Sequence, residues 1–446
     1  MPDPARLLLA YYGDDFTGST DALESLSLAG LKTALFLETP TVSQLARHPG
    51  LQAFGVAGLT RSLGPLAIET VLRPAFTALR TLSPRHVHYK VCSTFDSSPE
   101  VGSIGRAIDV GAEVFGGRFV PLVVGAPALG RFCVFGNLFA RMGVGSKGGI
   151  FRLDRHPSMS RHPVTPADES DLRLHLARQT ARRIELFDIL QLELPEIEAR
   201  KALDAVLAGG AEIVLFDVLY SGQLASVGRL IDGCAVSGRP LLSVGSSGVG
   251  AALTAHWKCR GADGSEQPSI EDVPSHSMWP DPGPAEPLLV VSGSCSPVTA
   301  GQIDWALANG FMGIALAADG SNLSQATTEA TSALRAGRPA VVYTSRGRAD
   351  TNVPAQKLGS ALGRLALEAV EQTGLRRLLI AGGDTSSYAG RVLGIESLAM
   401  IAPLAPGAPL CRVVAPGSAT DGLEINFKGG QVGAPGYFGA VARGTL

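Results

Sequence analysis

The chain has 446 residues, of which 45% are hydrophobic and 17% are charged, with 54 glycines and a formal net charge of −2. This length predicts two or three domains with sizeable cores, and the near-neutral charge gives no reason to expect nucleic acid or a membrane as a partner. The chain has no apolar run of about 20 residues and no signal-peptide start, and its six cysteines are scattered, so we expect a cytoplasmic enzyme without a zinc site or a disulfide framework.

The chain opens with a predicted strand, a polar turn and a helix. Leu7–Ala10 form an apolar run, and apolar residues return with helical spacing from Ala22 onward. We expect Ser19 or Thr20 to cap this helix. The turn between them, residues 13–18 with the sequence GDDFTG, lies at the carboxyl end of a strand. In open α/β sheets, ligands bind at that end.

Two adjacent aspartates, Asp14 and Asp15, distinguish this turn. Asp, Thr and Gly are ordinary turn residues, so the pattern also fits a purely structural turn. A structural turn needs only one carboxylate, however, whereas a pair suits a general base and a neighbour that orients a hydroxyl group or a metal ion.

Apolar strands and amphipathic helices alternate through the rest of the first half, apart from a long irregular stretch at residues 125–168. The predicted strands are Thr33–Leu37, Ala53–Gly58, Val87–Val91, Phe119–Val124, Glu212–Phe216 and Pro240–Val244. The predicted helices are Leu66–Leu82, Glu169–Thr180, Glu196–Leu207 and Leu224–Ser237. This alternation predicts a mainly parallel sheet with helices on both faces.

Polar side chains follow two of these strands. Arg61 follows Ala53–Gly58, and Lys90 ends an apolar strand, where a charge without a partner is unfavourable. Both cations could hold a carboxylate, although Arg61 taken singly also fits a solvated loop. His86 and His88 alternate on one strand face, and we interpret them as an exposed pair rather than metal ligands.

Residues 261–287 form the clearest boundary in the chain, with six prolines and no apolar period, and we predict a linker there. A second βα series follows. Its predicted strands are Leu288–Ser292, Gly313–Leu316, Ala340–Thr344, Leu378–Ala381 and Leu398–Ile401. Its predicted helices are Ala300–Asn309, Gln325–Ala336, Gln356–Thr373 and Ser386–Leu393. We therefore expect two α/β domains with a cleft between them.

Three glycine-rich segments in this second half could present backbone N–H groups to phosphate oxygens. They are the first turn (Ser292–Ser296, SGSCS), the second turn (Gly382–Ser387, GGDTSS) and the third turn (Lys428–Gly433, KGGQVG). A tight βα turn needs glycine in any case, but three such turns together favour phosphate binding. No P-loop motif occurs, and the glycine spacing of Gly245–Gly250 does not fit a dinucleotide site. The combination predicts a kinase with its site in the cleft.

Several segments, in order along nearly the whole chain, resemble the four-carbon acid sugar kinases, with greatest similarity to the 3-oxo-tetronate kinase branch. The segments are the GDDFTG turn, Thr60–Ser62 (TRS), Lys90–Ser98 (KVCSTFDSS), Phe132–Phe139 (FCVFGNLF), Arg155–Pro166 (RHPSMSRHPVTP), Val290–Ile303 (VVSGSCSPVTAGQI), Ala381–Ser386 (AGGDTS) and Phe427–Phe438 (FKGGQVGAPGYF). Three departures occur: GGD stands in place of GGE, KGGQVG in place of KSGNFG, and SSPEVGSIG in place of STPEGNIG.

The resemblance implies an acid-sugar-binding domain at residues 1–260, a nucleotide-binding domain at residues 288–446, and the use of ATP with Mg²⁺. It implies phosphorylation of the terminal hydroxyl group of a 3-oxo-tetronate. D-threonate, L-threonate and D-erythronate kinases are the alternatives, since SSPEVGSIG lies in the substrate-binding half.

The expected site residues follow from both lines of reasoning. Asp15 or Asp14 accepts the proton of the attacking hydroxyl group, and the sequence does not separate the two. The expected substrate-binding residues are Asp14, Asp15, Thr17, Arg61, Lys90, Ser93 and Thr94. The expected ATP-binding residues are Ser292, Gly293, Ser294, Gly382, Gly383, Asp384, Thr385 and Gly429. No metal ligand is assigned, although Asp384 could hold magnesium through water.

Two rival functions belong to other classes. A non-catalytic sensor could bind a sugar acid and a nucleotide, but it would have little use for paired carboxylates beside an anionic ligand. An NAD-linked dehydrogenase lacks a fitting dinucleotide turn. The expected partners are therefore an acid sugar and ATP, and the sequence leaves open whether the chain forms a homo-oligomer.

Overall fold

A computed structural model of the chain describes residues 7–142, 148–260, 279–346 and 353–445. The strands are β1 (Leu9–Gly13), β2 (Thr33–Phe36), β3 (Ala53–Ala57), β4 (His86–Lys90), β5 (Val120–Val123), β6 (Arg131–Val134), β7 (Asn137–Arg141), β8 (Ile150–Arg152), β9 (Ile184–Phe187), β10 (Ile213–Phe216), β11 (Leu241–Gly245), β12 (Leu289–Ser292), β13 (Met312–Ala315), β14 (Ala340–Tyr343), β15 (Arg377–Ala381), β16 (Ser397–Ala405), β17 (Ala408–Val414) and β18 (Glu424–Lys428). The α-helices are α1 (Phe16–Leu28), α2 (Val42–Leu45), α3 (Pro65–Thr81), α4 (Ile104–Phe115), α5 (Leu172–Ala177), α6 (Ile189–Leu192), α7 (Glu196–Ala208), α8 (Leu224–Asp232), α9 (Ser247–Arg260), α10 (Pro297–Ala308), α11 (Leu323–Arg335), α12 (Ala355–Thr373), α13 (Gly383–Val392) and α14 (Tyr437–Arg443).

The chain folds into two compact units. The first comprises the described residues of Met1–Asp14, Ser25–Lys32 and Thr39–Val273, and the second comprises those of Asp15–Glu24, Thr33–Glu38 and Pro274–Leu446. Two α/β domains were expected, and this fold class is confirmed. Residues 261–278 of the predicted linker lie outside the described residues. The domain bounds 1–260 and 288–446 stay a prediction.

Two short N-terminal segments pack with the second unit, which a linear division of the chain does not foresee. In Thr33–Glu38, β2 pairs antiparallel with β16, so that Leu35 lies opposite Leu398. In Asp15–Glu24, the Phe16 ring lies 4.6 Å from the ring of Phe427, centroid to centroid. The contacting residues are far apart in the sequence, so no local sequence pattern indicates these contacts.

The first unit is built on a parallel sheet with the strand order β3-β1-β4-β11-β5-β10-β9. In its register, Gly13 at the end of β1 lies opposite Ala57 of β3 and Lys90 of β4. The carboxyl ends of these three strands therefore coincide. Part of the irregular stretch 125–168 forms a separate antiparallel sheet in the order β6-β7-β8.

The second unit has a mixed sheet with the order β13-β14-β12-β15-β18-β17-β16-β2. The strands β13, β14, β12, β15 and β18 run parallel, whereas β17 and β16 pair antiparallel. One core cluster of this unit packs Val290 and Leu379 of the sheet against Ile303 of α10 and Phe438 of α14. None of the described helices combines the length and apolarity that crossing a bilayer requires.

Candidate functional site

In the first unit, the carboxyl edge of the sheet brings together three predicted residues. The Asp14 N–H donates to the Lys90 carbonyl at 2.9 Å, and the Arg61 N–H donates to the Asp14 carbonyl at 3.0 Å. Arg61 lies on a short 3-10 helix, Thr60–Ser62, directly after β3. The register of β3, β1 and β4 therefore places all three residues at one edge, as the sequence predicted for ligand contact.

Arg61 and Asp14 form a two-pronged ion pair. Arg61 Nε donates to Asp14 Oδ2 at 3.1 Å, and Arg61 Nη2 donates to Asp14 Oδ1 at 2.8 Å. Asp14 is only 3% exposed, whereas the Arg61 side chain keeps 29% of its surface exposed. Both carboxylate oxygens of Asp14 thus serve to orient the guanidinium group of Arg61.

The segment after β4 carries the predicted Ser93 and Thr94. Thr94 Oγ1 lies 2.9 Å from Cys92 Sγ, and Phe95 adopts a φ of 57°, which is rare for a residue with a side chain. The neighbouring Ser97 hydroxyl donates to the Phe95 carbonyl at 3.0 Å. Its oxygen also lies 2.9 Å from His175 Nε2 on α5. Ser97 thus connects His175 on α5 to the backbone of Phe95, which lies next to the predicted substrate residues.

Asp15 belongs to the second unit and immediately precedes α1. Its Oδ1 accepts a hydrogen bond from the Gly18 N–H at 2.6 Å, which is the N-cap contact. The expectation that Ser19 or Thr20 would cap this helix is wrong, because the helix begins at Phe16 and both residues lie inside it. The unit boundary therefore falls between the two aspartates that the sequence treated as one pair.

Thr17, predicted to bind substrate, lies beside the second and third turns. A Cβ atom added to Gly383 would lie 3.4 Å from Thr17 Oγ1, and one added to Gly429 would lie 3.3 Å from Thr17 Cγ2. The first turn of α1 therefore lies next to the second and third glycine-rich turns of the second unit.

The three glycine-rich turns of the second unit lie together, because their strands are neighbours in register. Ser292 pairs with Ala381, and Ala381 pairs with Lys428. The Gly293 N–H donates to the Ala381 carbonyl at 3.2 Å, and the Gly382 N–H donates to the Lys428 carbonyl at 2.9 Å. The structure therefore brings all the predicted nucleotide residues to one edge of the sheet.

Glycine is required where these turns approach each other most closely. A Cβ atom at Gly293 would lie 2.4 Å from Thr385 Oγ1, and one at Gly430 would lie 2.8 Å from Ser294 Oγ. Gly382 also has a φ of 118°, a conformation that side chains disfavour. A side chain at Gly293 or Gly430 would force the neighbouring Thr385 or Ser294 side chain to shift, so glycine at these positions allows the turns to approach closely.

Asp384 is exposed in the first turn of α13. Within the described parts of the chain, no three His, Cys, Asp or Glu side chains cluster in a way that could hold a metal ion.

Sequence reasoning missed three polar residues that hold the third turn. Lys428 Nζ donates to Thr299 Oγ1 at 3.0 Å, and Thr299 Oγ1 donates to the Gly430 carbonyl at 2.8 Å. Gln302 Nε2 contacts the carbonyl oxygens of residues 432, 433 and 434 at 2.9–3.0 Å. The signal was present for Lys428, which ends a strand as Lys90 does, but β18 itself was not predicted.

The interpretation of His86 and His88 as an exposed pair is wrong. Both are buried, because β4 is an inner strand of a sheet that is covered on both faces. His86 Nε2 lies 2.8 Å from Asp232 Oδ1, and His88 Nε2 lies 3.0 Å from the Gly245 carbonyl. Burial lowers the pKa of both imidazoles, to about 3 for His88. They are structural residues.

Comparison with known proteins places both halves of the chain in described domain families. Residues 9–253 match a sugar-binding N-terminal domain, and residues 289–438 match a nucleotide-binding C-terminal domain. A 3-oxo-isoapionate kinase from Paraburkholderia graminis is 44% identical over 99% of this chain and 96% of its own length. A 3-oxo-tetronate kinase from Methylobacterium radiotolerans is 28% identical over 97% of this chain and 98% of its own length.

Two solved structures share the fold. A Salmonella typhimurium protein, provisionally named a tRNA synthase, superposes with a TM-score of 0.76 at 23% identity, over 97% of each chain. A Haemophilus influenzae protein superposes with a TM-score of 0.71 at 20% identity, over 97% of this chain and 98% of that one. At these identities the likeness shows the fold alone.

Proposed function

The chain belongs to the four-carbon acid sugar kinase family, and from that premise we propose that it transfers the γ-phosphoryl group of ATP to a hydroxyl group of a 3-oxo acid sugar. It is a phosphotransferase that uses ATP. We name 3-oxo-isoapionate as the first candidate substrate and 3-oxo-tetronate as the second. The order follows from the relatives, since the 3-oxo-isoapionate kinase is 44% identical to this chain and the 3-oxo-tetronate kinase is 28% identical.

The observation that carries the proposal is the convergence of the three glycine-rich turns at one sheet edge. Backbone N–H groups and the N-termini of α10 and α13 lie there, and both features favour phosphate oxygens. We infer that this edge binds the phosphates of ATP without a P-loop.

The proposed nucleotide site consists of all eight residues expected from the sequence. Ser292, Gly293 and Ser294 belong to the first turn, and Gly382, Gly383, Asp384 and Thr385 belong to the second turn. Gly429 belongs to the third turn. Mg²⁺, when bound with the nucleotide, neutralises charge on the phosphates, and Asp384 is the proposed carboxylate that holds it through water.

The proposed acid-sugar site lies at the edge of the first unit. Arg61, which Asp14 orients, binds the substrate carboxylate, and Lys90 adds positive charge. We assign contacts with the substrate hydroxyl groups to Ser93 and Thr94. Thr17 belongs by its contacts to the nucleotide side, so we propose it as a phosphate neighbour instead of a substrate ligand.

Asp15 is the proposed base. Asp14 has both oxygens committed to Arg61, which favours a positioning role for it. A carboxylate at Asp15 would hold the attacking hydroxyl group and accept its proton as the new P–O bond forms. Phosphoryl transfer needs positioning and charge stabilisation more than covalent participation by the protein, and this residue set supplies both.

The test is an ADP-release assay with Mg-ATP and a panel of acids. The panel contains 3-oxo-isoapionate and 3-oxo-tetronate made in situ, D-threonate, L-threonate and D-erythronate. We expect turnover with a 3-oxo acid and at least tenfold lower kcat/KM with the 3-hydroxy acids. Turnover only with a 3-hydroxy acid would overturn the substrate class. Nucleotide binding without turnover on any acid would favour a sensor.

A further inference from the structure

Lys428 is a buried lysine that has no carboxylate partner in the described parts of the chain. It ends β18 and begins the third turn, and its side chain is fully buried. Its Nζ donates to Thr299 Oγ1 at 3.0 Å and makes no ion pair with a carboxylate in the described parts of the chain. A lysine ammonium has three donors, so two of them find no acceptor among those residues. A buried charge of this kind is costly unless something compensates for it.

The surroundings of Lys428 favour an anion. Thr299 lies in the first turn of α10, where the helix dipole places partial positive charge. Thr299 also donates to the Gly430 carbonyl, so the amine is two hydrogen bonds away from the backbone of the third turn. Burial lowers the pKa of the Lys428 ammonium to about 7, which leaves much of it neutral under ordinary conditions.

No neighbouring charged group accounts for the lowered pKa of Lys428. The charged groups on the elements packed against β18, and on β18 itself, are Asp21 and Glu24 on α1, with Asp15 at its N-cap, Asp304 on α10, Asp384 and Arg391 on α13, Arg377 on β15, Arg412 on β17 and Glu424 on β18. Glu424 is paired with Arg377 at the opposite end of the strands, and Asp304 is paired with Arg346. Tyr437 and Cys411 have raised pKa values and stay uncharged. Loss of hydration on burial is what lowers the pKa of Lys428.

We propose that Lys428 takes up a proton when the phosphates of a nucleotide bind to the three turns, so that nucleotide binding and proton binding at this lysine are coupled. The inference rests on the proposed function, because it requires a nucleotide at these turns. An opposite charge within about 4–6 Å favours the charged form of an ionisable group. The proton comes from solvent and forms an N–H bond with the amine lone pair.

Lys428 is thus a positioning residue, because it lies beneath the turn and acts through Thr299 and the Gly430 backbone. In the empty protein the neutral amine avoids an uncompensated buried charge. In the complex the ammonium stabilises the phosphates electrostatically, so the protein gains a cation only when an anion is present. Proton uptake distinguishes this role from a purely structural one.

The experiment is calorimetric titration of the full chain with Mg-ADP at pH 8.0 in three buffers of different ionisation enthalpy. The phosphates of ADP are almost fully deprotonated at this pH. A lysine with a pKa near 7 is then roughly 10% protonated, so binding should take up about 0.9 proton per nucleotide.

The Lys428→Met variant should reduce this proton uptake to nearly zero. Lys428→Arg should bind Mg-ADP with no uptake, because arginine is already charged. Lys201→Met, which removes an exposed lysine of α7, is the matched control and should keep the full uptake.

The outcomes separate the two proposals. Binding of Mg-ADP without proton uptake in the wild type, or uptake that persists in Lys428→Met, would overturn the coupling and leave the kinase assignment standing. A folded wild-type protein that does not bind Mg-ADP would overturn the nucleotide site and the coupling together. If Lys428→Met does not fold, the comparison of the wild type with Lys428→Arg decides the question.

Discussion

Replacing Glu24 by Gln should stabilise the second unit at neutral pH. Glu24 lies on α1 with 6% of its surface exposed, and its Oε2 accepts a hydrogen bond from the Gly407 N–H in the turn between β16 and β17. Burial is the main cause that raises the pKa of this carboxyl group from 4.5 to about 8. The glutamine keeps an oxygen for the Gly407 N–H and removes the ionisation.

The sign follows from comparing the folded and unfolded states. The folded state holds the proton more tightly, so the contribution of Glu24 is fully present below pH 4.5 and is lost as the pH rises through about 8. One pKa unit corresponds to about 1.4 kcal/mol. Ionisation of Glu24 should therefore reduce the free energy of unfolding by about 4 kcal/mol at pH 7.5 and by about 0.8 kcal/mol at pH 5.

The measurement is the difference in unfolding free energy between Glu24→Gln and the wild type, by urea titration at pH 5.0 and 7.5. We expect a small difference at pH 5.0 and a stabilisation of several kcal/mol at pH 7.5. Glu371→Gln, which changes an exposed glutamate of α12, is the control and should change neither value. A difference for Glu24→Gln that does not grow between the two pH values would refute the reasoning.

Three further substitutions test other parts of the account. Asp15→Asn keeps an oxygen for the helix cap, so Mg-ADP binding measured by calorimetry should be unchanged while ADP release falls at least 1000-fold; retained turnover would remove Asp15 as the base. Arg61→Lys loses the two-pronged contact with Asp14, so the KM for the acid sugar in steady-state assays should rise roughly tenfold with little change in the Kd of Mg-ADP. Asp232→Asn leaves Arg85 and His86 without their carboxylate and should lower the urea-unfolding free energy by about 3 kcal/mol with an unchanged KM, because this cluster lies at the other end of β4.

The sequence predicted most strands of both sheets and the polar edge of each, because those features are local. An apolar run followed by a Gly-Asp turn marks the end of β1 wherever the rest of the chain goes. The same holds for the first and second turns, which directly follow the apolar strands β12 and β15. Because neighbouring strands end in register, the turns that follow them lie side by side. The residues of these turns could therefore be predicted from the sequence as one candidate site.

The assignment of Asp15 to the second unit was not predictable in this way. It depends on Phe16 packing against Phe427 and on β2 pairing with β16, which join residues more than 300 positions apart. The burial of His86 and His88 was missed because alternation along a strand does not report whether one or both faces are covered.

The omission of β18 has another physical cause. Its sequence, EINFK, begins and ends with a charge and carries a polar residue in the middle. Glu424 is nevertheless buried, because Arg377 donates to it at 2.9 Å from the neighbouring strand, and Lys428 is buried beneath the third turn. Burial of these charges depends on partners that only the folded sheet supplies, so composition alone disfavours the strand.

The most direct test of the central claim is ³¹P NMR of a reaction of the full chain with Mg-ATP and 3-oxo-isoapionate. We predict that the γ-phosphate signal of ATP disappears, that ADP appears, and that a new phosphomonoester signal grows in equal amount on the acid sugar. Asp15→Asn should leave the ATP signals unchanged. Conversion of ATP to ADP and inorganic phosphate alone, or no consumption of ATP with any 3-oxo acid, would contradict the claim that this chain is a kinase of such acids.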